Sequence, residues 1–222
     1  MDGKPPGVWS LVFVPALLTL VVTVLRLVGQ VQGWSPTVFG RPEAGGGGAL
    51  LGISWLIFVF GLWFGVRVQR SGAGPASPGR ALVTSLVALA VVFGGIALCQ
   101  ALDLVWFPDA ENPGEPRGIG WMLGLMLLGV AIAFVANRRV ALALLVYAFL
   151  ARIPVVVVTW IALEQGWDTH YTEIAEGFPE PAEGERLVFL ATPQVTFWPL
   201  ITVLLGTATG CLGGLLAGRR TG

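Results

Sequence analysis

The chain of 222 residues is 55% hydrophobic and only 12% charged, with 13 basic and 13 acidic residues that give a formal net charge of zero. Ordinary soluble domains carry about a quarter charged residues, so this composition excludes that class and indicates an integral membrane protein. Nucleic-acid binding is also excluded, because the basic residues lie on short connections between apolar segments and form no patch.

Six apolar segments are long enough to cross a hydrocarbon core of about 30 Å, which takes about 20 helical residues. In chain order they cover 8–28, 49–67, 81–107, 119–137, 140–163 and 196–217. The longest connection, 164–195, is too short to form a domain with its own core. The sequence therefore predicts an all-α integral membrane protein, a single transmembrane domain over 1–222 built as a bundle of six helices.

Charge alternates between successive connections. Basic residues collect at both termini and in the connections after the second and fourth segments: Lys4, Arg67, Arg70, Arg80, Arg138, Arg139, Arg219 and Arg220. Acidic residues dominate the other three connections. Because lysine and arginine beside a span stay on the cytoplasmic side, we predict cytoplasmic termini and extracytoplasmic acidic loops. The excess of arginine over lysine favours a bacterial genome rich in GC, and hence a plasma (inner) membrane.

Once the connections are assigned, three charged residues remain inside the predicted spans: Arg26, Asp103 and Arg152. A charged group at the centre of a span costs about 2.5–3.5 kcal/mol on insertion scales, so these side chains should face the bundle or a wet cavity. Counted from the outer ends, Arg26 lies about 3 Å deep, Asp103 about 6 Å and Arg152 about 16 Å. The first two are level enough to pair. Pro154 favours a helix kink beside Arg152.

Further polar side chains share helix faces with these three residues. The predicted ligand-binding residues are Arg152, Arg26, Asp103, Gln30, Gln100 and Thr159. Two arginines and one aspartate leave a formal charge of plus one, so the ligand is expected to be anionic, or zwitterionic with an exposed carboxylate or phosphate. The alternative is a salt-bridge network that only fixes the register of the helices.

The last outer connection contains His170, the single histidine of the chain, close to Asp168 and Glu173. With no second histidine or nearby cysteine, no metal ligand is predicted. No cofactor or catalytic residue is predicted either, because no serine carries a nucleophile-elbow motif. The connection is interpreted as a solvated acidic loop, or as a lid that folds back through apolar residues: Tyr171, Phe178, Leu187, Val188, Phe189 and Leu190.

Glycines in the last segment, Gly206, Gly210 and Gly214, recur every fourth residue and predict a groove in which another helix can approach closely. That helix could belong to this chain, to a second copy or to another membrane subunit. Tryptophans cluster near the predicted outer boundary, which is typical of an interfacial belt or of an aromatic-lined cavity: Trp34, Trp106, Trp121, Trp160, Trp167 and Trp198.

Three functions fit these patterns. The leading hypothesis is a membrane protein that binds or transports a small anionic or amphiphilic solute or lipid through an outer polar cavity. The second is a structural or assembly subunit of a larger membrane complex, and the third is a membrane-embedded enzyme that modifies lipids. Membrane lipids are expected partners in all three.

Overall fold

The computed structural model describes residues 6–40, 49–182 and 184–218. Within these ranges the chain is helical and forms no strand. The helices are α1 (Val8–Val31), α2 (Pro36–Phe39), α3 (Leu56–Arg70), α4 (Pro78–Ala101), α5 (Ile119–Glu164), α6 (Arg186–Val195) and α7 (Phe197–Ala217). The predicted cytoplasmic cations Lys4, Arg219 and Arg220 lie outside the described residues.

Four helical segments in the described ranges are long and apolar enough to cross a membrane: α1, α4, α5 and the stretch Arg186–Ala217 that joins α6 and α7. This confirms that the described part of the chain is all-helical, and it gives four candidate membrane-spanning segments by length and composition. The predicted second span, 49–67, is shifted, since its helix begins at Leu56 and runs 15 residues to Arg70. At 1.5 Å per residue α3 is about 22 Å long, shorter than a hydrocarbon core of about 30 Å.

Helix α5 has 46 residues and contains one break in its backbone, at Asn137 (φ −154°, ψ 86°). The Asn137 side chain accepts a hydrogen bond from the Val140 N–H (3.3 Å), as residues at helix starts do. Gly129 lies against Leu204 of α7, and Leu144 lies against Gly206 two residues further along α7. A straight helix would separate positions 129 and 144 by about 22 Å. The two halves of α5 therefore lie beside the same part of α7.

Glycines set the distance between α3 and α7. A methyl group added to Gly61 would lie 2.9 Å from the Gly206 Cα, and one added to Gly65 would lie 2.8 Å from the Gly210 Cα. Such close approach of two backbones is what small residues at this spacing permit. The predicted glycine groove of α7 is thus filled by α3 and by the second half of α5. Gly206, Gly210 and Gly214 are buried inside the chain.

The largest buried cluster joins α1, α3 and the second half of α5 around Tyr147. Its ring packs edge-to-face on Phe60 (centroids 5.4 Å apart), and its hydroxyl is 2.9 Å from the Thr19 hydroxyl. Large apolar side chains cover the outside of the helices, as expected for contact with membrane lipids. Helix α4 buries only a narrow stripe, Ala81, Ser85, Ala88 and Val92, at the spacing of one helix face.

Candidate functional site

A cavity of about 450 Å³ lies where the second half of α5 meets α1, α6, the start of α7 and the connection between α5 and α6. This volume is within the range of about 300–1,000 Å³ that is usual for small-molecule sites. Its ionisable lining residues are Arg26, Arg152, His170, Tyr171 and Glu173. The rest of the wall is mainly apolar and aromatic.

Arg152 is the most constrained cation of the cavity. It is only 5% exposed. Its Nη1 donates a hydrogen bond to Gln194 Oε1 (3.1 Å), and its Cζ lies 4.2 Å from the centroid of the Trp198 ring, within the range of a cation–π contact. Among the described residues Arg152 has a neutral amide as its hydrogen-bond partner and no carboxylate in an ion pair. Pro154 lies inside the second half of α5, and the backbone break of this helix, at Asn137, falls between the predicted fourth and fifth spans.

Arg26 lies on the inward face of α1 and is 3% exposed. Thr19, Thr23 and Gln30 are buried on the same helix, as their spacing predicts. The Tyr171 hydroxyl donates to the Thr23 carbonyl (3.1 Å) and so holds the α5–α6 connection against α1. Burial raises the pKa of Tyr171, and the positive charges of Arg26 and Arg152 oppose that rise. Both guanidinium groups therefore lie within electrostatic reach of this one hydroxyl.

Gln30 fixes the orientation of His170. The Gln30 Nε2 donates hydrogen bonds to the backbone carbonyls of Phe39 and Gly40 (2.7 Å each). The Gln30 Oε1 is therefore the atom that accepts hydrogen bonds from His170. That oxygen is 2.9 Å from His170 Nδ1 and 3.3 Å from the His170 backbone nitrogen. Since Oε1 can only accept, Nδ1 must carry the ring hydrogen. Burial, and then the charge of Arg26, lower the pKa of His170 to about 3, so the ring is neutral near pH 7.

Asp103 and Gln100 are not part of this cavity. Helix α4 ends at Ala101, so Asp103 follows the helix, with a left-handed backbone (φ 54°) and an exposed side chain. The predicted third span, 81–107, is therefore too long at its outer end. Arg26, the predicted partner of Asp103, is instead buried and lines the cavity. Glu173, on the α5–α6 connection, is the carboxylate that lines the cavity.

The connection between α5 and α6 is folded onto the bundle rather than solvated along its length. Thr169, Tyr171 and Thr172 are buried, and the Arg186 guanidinium at the start of α6 donates to the Thr172 carbonyl (2.9 Å). Of the six apolar residues predicted to form a lid, four line the cavity: Tyr171, Phe178, Phe189 and Leu190. Val188 points away and is 66% exposed.

Of the predicted ligand contacts, Arg152, Arg26 and Thr159 line the cavity, and Gln30 supports it from behind. Gln194 and Trp198 were missed as partners of Arg152. One signal was present in the sequence: Leu190, Gln194 and Trp198 are each four residues apart, which places them on one side of a helical stretch, and all three line the cavity. Among the described residues, no group of three or more His, Cys, Asp and Glu is arranged to hold a metal ion.

The class that this fold and cavity define is a helical membrane protein with a partly polar internal cavity. The chain matches no family model, no curated protein and no solved structure.

Proposed function

We propose that this protein binds a small anionic or amphiphilic solute or lipid in the cavity, with Arg152 and Arg26 as its cationic contacts. The observation that carries the proposal is the setting of Arg152. This guanidinium is buried, its face is stacked on Trp198, and its described hydrogen-bond partner is the neutral amide of Gln194. Buried charges are normally paired, and a carboxylate or phosphate matches the guanidinium fork far better than an amide does.

The charge of the cavity supports an anion. Arg26 and Arg152 contribute two positive charges, Glu173 contributes one negative charge, and His170 is neutral, so the lining carries a formal charge of plus one. Thr159 and Ser54 add hydroxyl groups to the same wall. The carboxylate in this count is Glu173, and not the predicted Asp103.

The ligand test uses the purified protein in a zwitterionic nanodisc. Anionic compounds should stabilise the folded protein by about 2.7 kcal/mol at a hundred times Kd, and its Tm should rise accordingly. Arg152→Gln should abolish this response, whereas Arg139→Gln, an exposed arginine of the same helix outside the cavity, should keep it. The proposal fails if Arg152→Gln responds like the unaltered chain. A second protein that co-purifies stoichiometrically from native membranes would instead support the subunit hypothesis.

We further propose six crossings of a bacterial plasma membrane, with cytoplasmic termini and the cavity in the outer half. Support comes from the two halves of α5, which lie beside the same part of α7, and from the charges at the two ends of the bundle. Arg138 and Arg139 lie at the α5 break, whereas Asp109 and Glu111 lie in the connection after α4.

A labelling experiment tests this topology in a chain from which Cys99 and Cys211 have been removed. Asn112→Cys should react with a membrane-impermeant maleimide in intact cells, and Ser77→Cys should react only after lysis. Both positions are exposed. The opposite pattern would invert the topology, and labelling of both in intact cells would remove the six-span arrangement.

A further inference from the structure

The lining of the cavity combines a polar corner with an apolar wall. Arg152 lies in a polar corner, with Gln194 on one edge of its guanidinium and Trp198 on one face. Phe178, Phe189 and Leu190 form an apolar wall of the same cavity, with the Phe178 and Phe189 rings 6.1 Å apart and Leu190 one helical turn before Gln194. Every residue of α6 is partly or fully exposed, so this short helix forms a thin wall between the cavity and the outside of the bundle.

The polar corner suits a single negative charge. The guanidinium has five N–H donors in a planar fork, and the described hydrogen bond to Gln194 uses one of them. One anionic group would neutralise the formal charge of plus one on the lining residues. A dianion would leave an uncompensated negative charge in a buried site, which is costly.

The apolar wall suits a hydrophobic body attached to that charge. A hydrated inorganic anion would have to leave Phe178, Phe189 and Leu190 facing water that is confined in the cavity. An alkyl or aryl group would cover these side chains and would gain about 25 cal/mol for each Å² of apolar surface removed from water. The volume of about 450 Å³ fits one short chain more readily than the two long chains of a membrane phospholipid.

We infer that the ligand is a monoanionic amphiphile, with its acidic head on Arg152 beside Gln194 and its apolar body against Phe178, Phe189 and Leu190. This inference rests on the proposed anion-binding function and narrows it. Gln194 and Leu190 become specificity-determining residues, because one borders the head and the other borders the body.

Ligand specificity is tested on the full chain in a nanodisc of phosphatidylcholine, with binding measured by calorimetry. Decanoate should bind, and acetate and decanol should each bind at least tenfold more weakly, since one lacks the body and the other lacks the charge. If phosphatidylglycerol in the nanodisc competes with decanoate, the monoanionic amphiphile is a membrane lipid; if it does not, the ligand is a free amphiphile.

The outcomes separate the two proposals. Equal affinity for acetate and decanoate would overturn the amphiphile and leave anion binding intact. Equal affinity for decanol and decanoate would overturn both, as would the absence of binding by every compound.

The head position is tested by Gln194→Glu. The new carboxylate would lie where Gln194 Oε1 now accepts from Arg152 Nη1, and it would bring the formal charge of the cavity to zero. Loss of the available cation should weaken decanoate binding roughly tenfold to hundredfold. Gln100→Glu, the same substitution at an exposed position of α4, should change nothing. Unaltered binding by Gln194→Glu would overturn the inference.

The body position is tested independently by Leu190→Asn, which keeps the size of the side chain and removes its apolar surface. Decanoate binding should weaken about tenfold, and acetate binding should stay the same. Val188→Asn is the matched control, because Val188 is on the same helix and 66% exposed. If Leu190→Asn and Val188→Asn bind decanoate equally well, the apolar wall does not contact the ligand and the inference fails.

Discussion

Helix α7 is packed in two opposite ways along its length. In its glycine-rich part, Gly206 and Gly210 lie so close to Gly61 and Gly65 of α3 that no methyl group fits between the backbones. At its start, Trp198 borders a cavity of about 450 Å³ and stacks on the buried Arg152. The helix thus touches the α3 backbone directly at its glycines, whereas its start borders a cavity that contains a charged side chain.

This difference separates stability from function within one helix. Close packing of apolar helices in lipid stabilises through van der Waals contact, and every gap reduces it. A cavity that contains a cation gives up that contact and adds a desolvation cost. Such a cavity is retained where it binds a ligand. Substitutions at the glycine contact and at Arg152 should therefore change the stability of the ligand-free protein in opposite directions.

The largest loss of stability is expected where the glycines of α7 contact α3. Gly65→Ala places a methyl group against the Gly210 backbone, and neither backbone can move without separating α3 from α7. We expect a loss of about 3 kcal/mol or more in the free energy of unfolding, measured by thermal unfolding in detergent.

Gly124→Ala is the control for this experiment. Gly124 is in the first half of α5, and a methyl group there would meet no atom within 4 Å. Since alanine favours a helix by about 0.5–1 kcal/mol over glycine, this variant should be neutral or more stable. Equal effects of the two substitutions would show that the α3–α7 contact is looser than described.

At the cavity, a second effect is expected from His170, and its size depends on pH. Its pKa is lowered to about 3 in the folded chain, whereas the unfolded value is about 6.5. The unfolded state therefore binds the extra proton first, and stability should fall by up to about 1.4 kcal/mol for each pH unit below about 6.5, down to the folded pKa. Above about 6.5, His170 contributes no slope.

His170→Asn isolates this slope from the other titrating groups. The asparagine amide can replace Nδ1–H as the donor to Gln30 Oε1, but it does not titrate. Unfolding measured between pH 4 and pH 8 should show a shallower loss of stability in acid than the unaltered chain. Parallel curves would mean that His170 is not held neutral by burial.

These regions also differ in how far the sequence predicts them. The buried face of α1, with Thr19, Thr23, Arg26 and Gln30, was predicted correctly because helical spacing alone determines which residues share a side. The end of α4 was predicted wrongly, because the apolar residues 104–107 continue the hydrophobic pattern past the last residue of the helix. Backbone bonds from Asp103 to Gln100 and from Leu104 to Cys99 close a turn there instead.

The residues that contact Arg152 could not be predicted from local sequence patterns. Gln194 is 42 positions away in sequence, and its contact depends on how α6 and the α5–α6 connection fold back. Arg152 itself stood out because an arginine in an apolar span is costly wherever it lies. A sequence therefore reveals that a buried charge needs a partner more readily than it reveals which residue supplies that partner.

The smallest effect, and of the opposite sign, is expected from Arg152→Met in the ligand-free protein. The substitution removes the desolvation cost of the guanidinium, which is several kcal/mol. It also removes a cation–π contact of up to about 2 kcal/mol and one hydrogen bond of about 1.5–3 kcal/mol. The terms nearly cancel, and methionine fills the space with apolar contact. We therefore expect the free energy of unfolding, measured by thermal unfolding, to rise by about 1 kcal/mol.

The control is Arg139→Met at an exposed position, which should change the free energy of unfolding by no more than about 0.5 kcal/mol. A loss of more than about 2 kcal/mol at Arg152 would make it a structural residue, because a cation kept for a ligand should weaken the empty protein rather than hold it together.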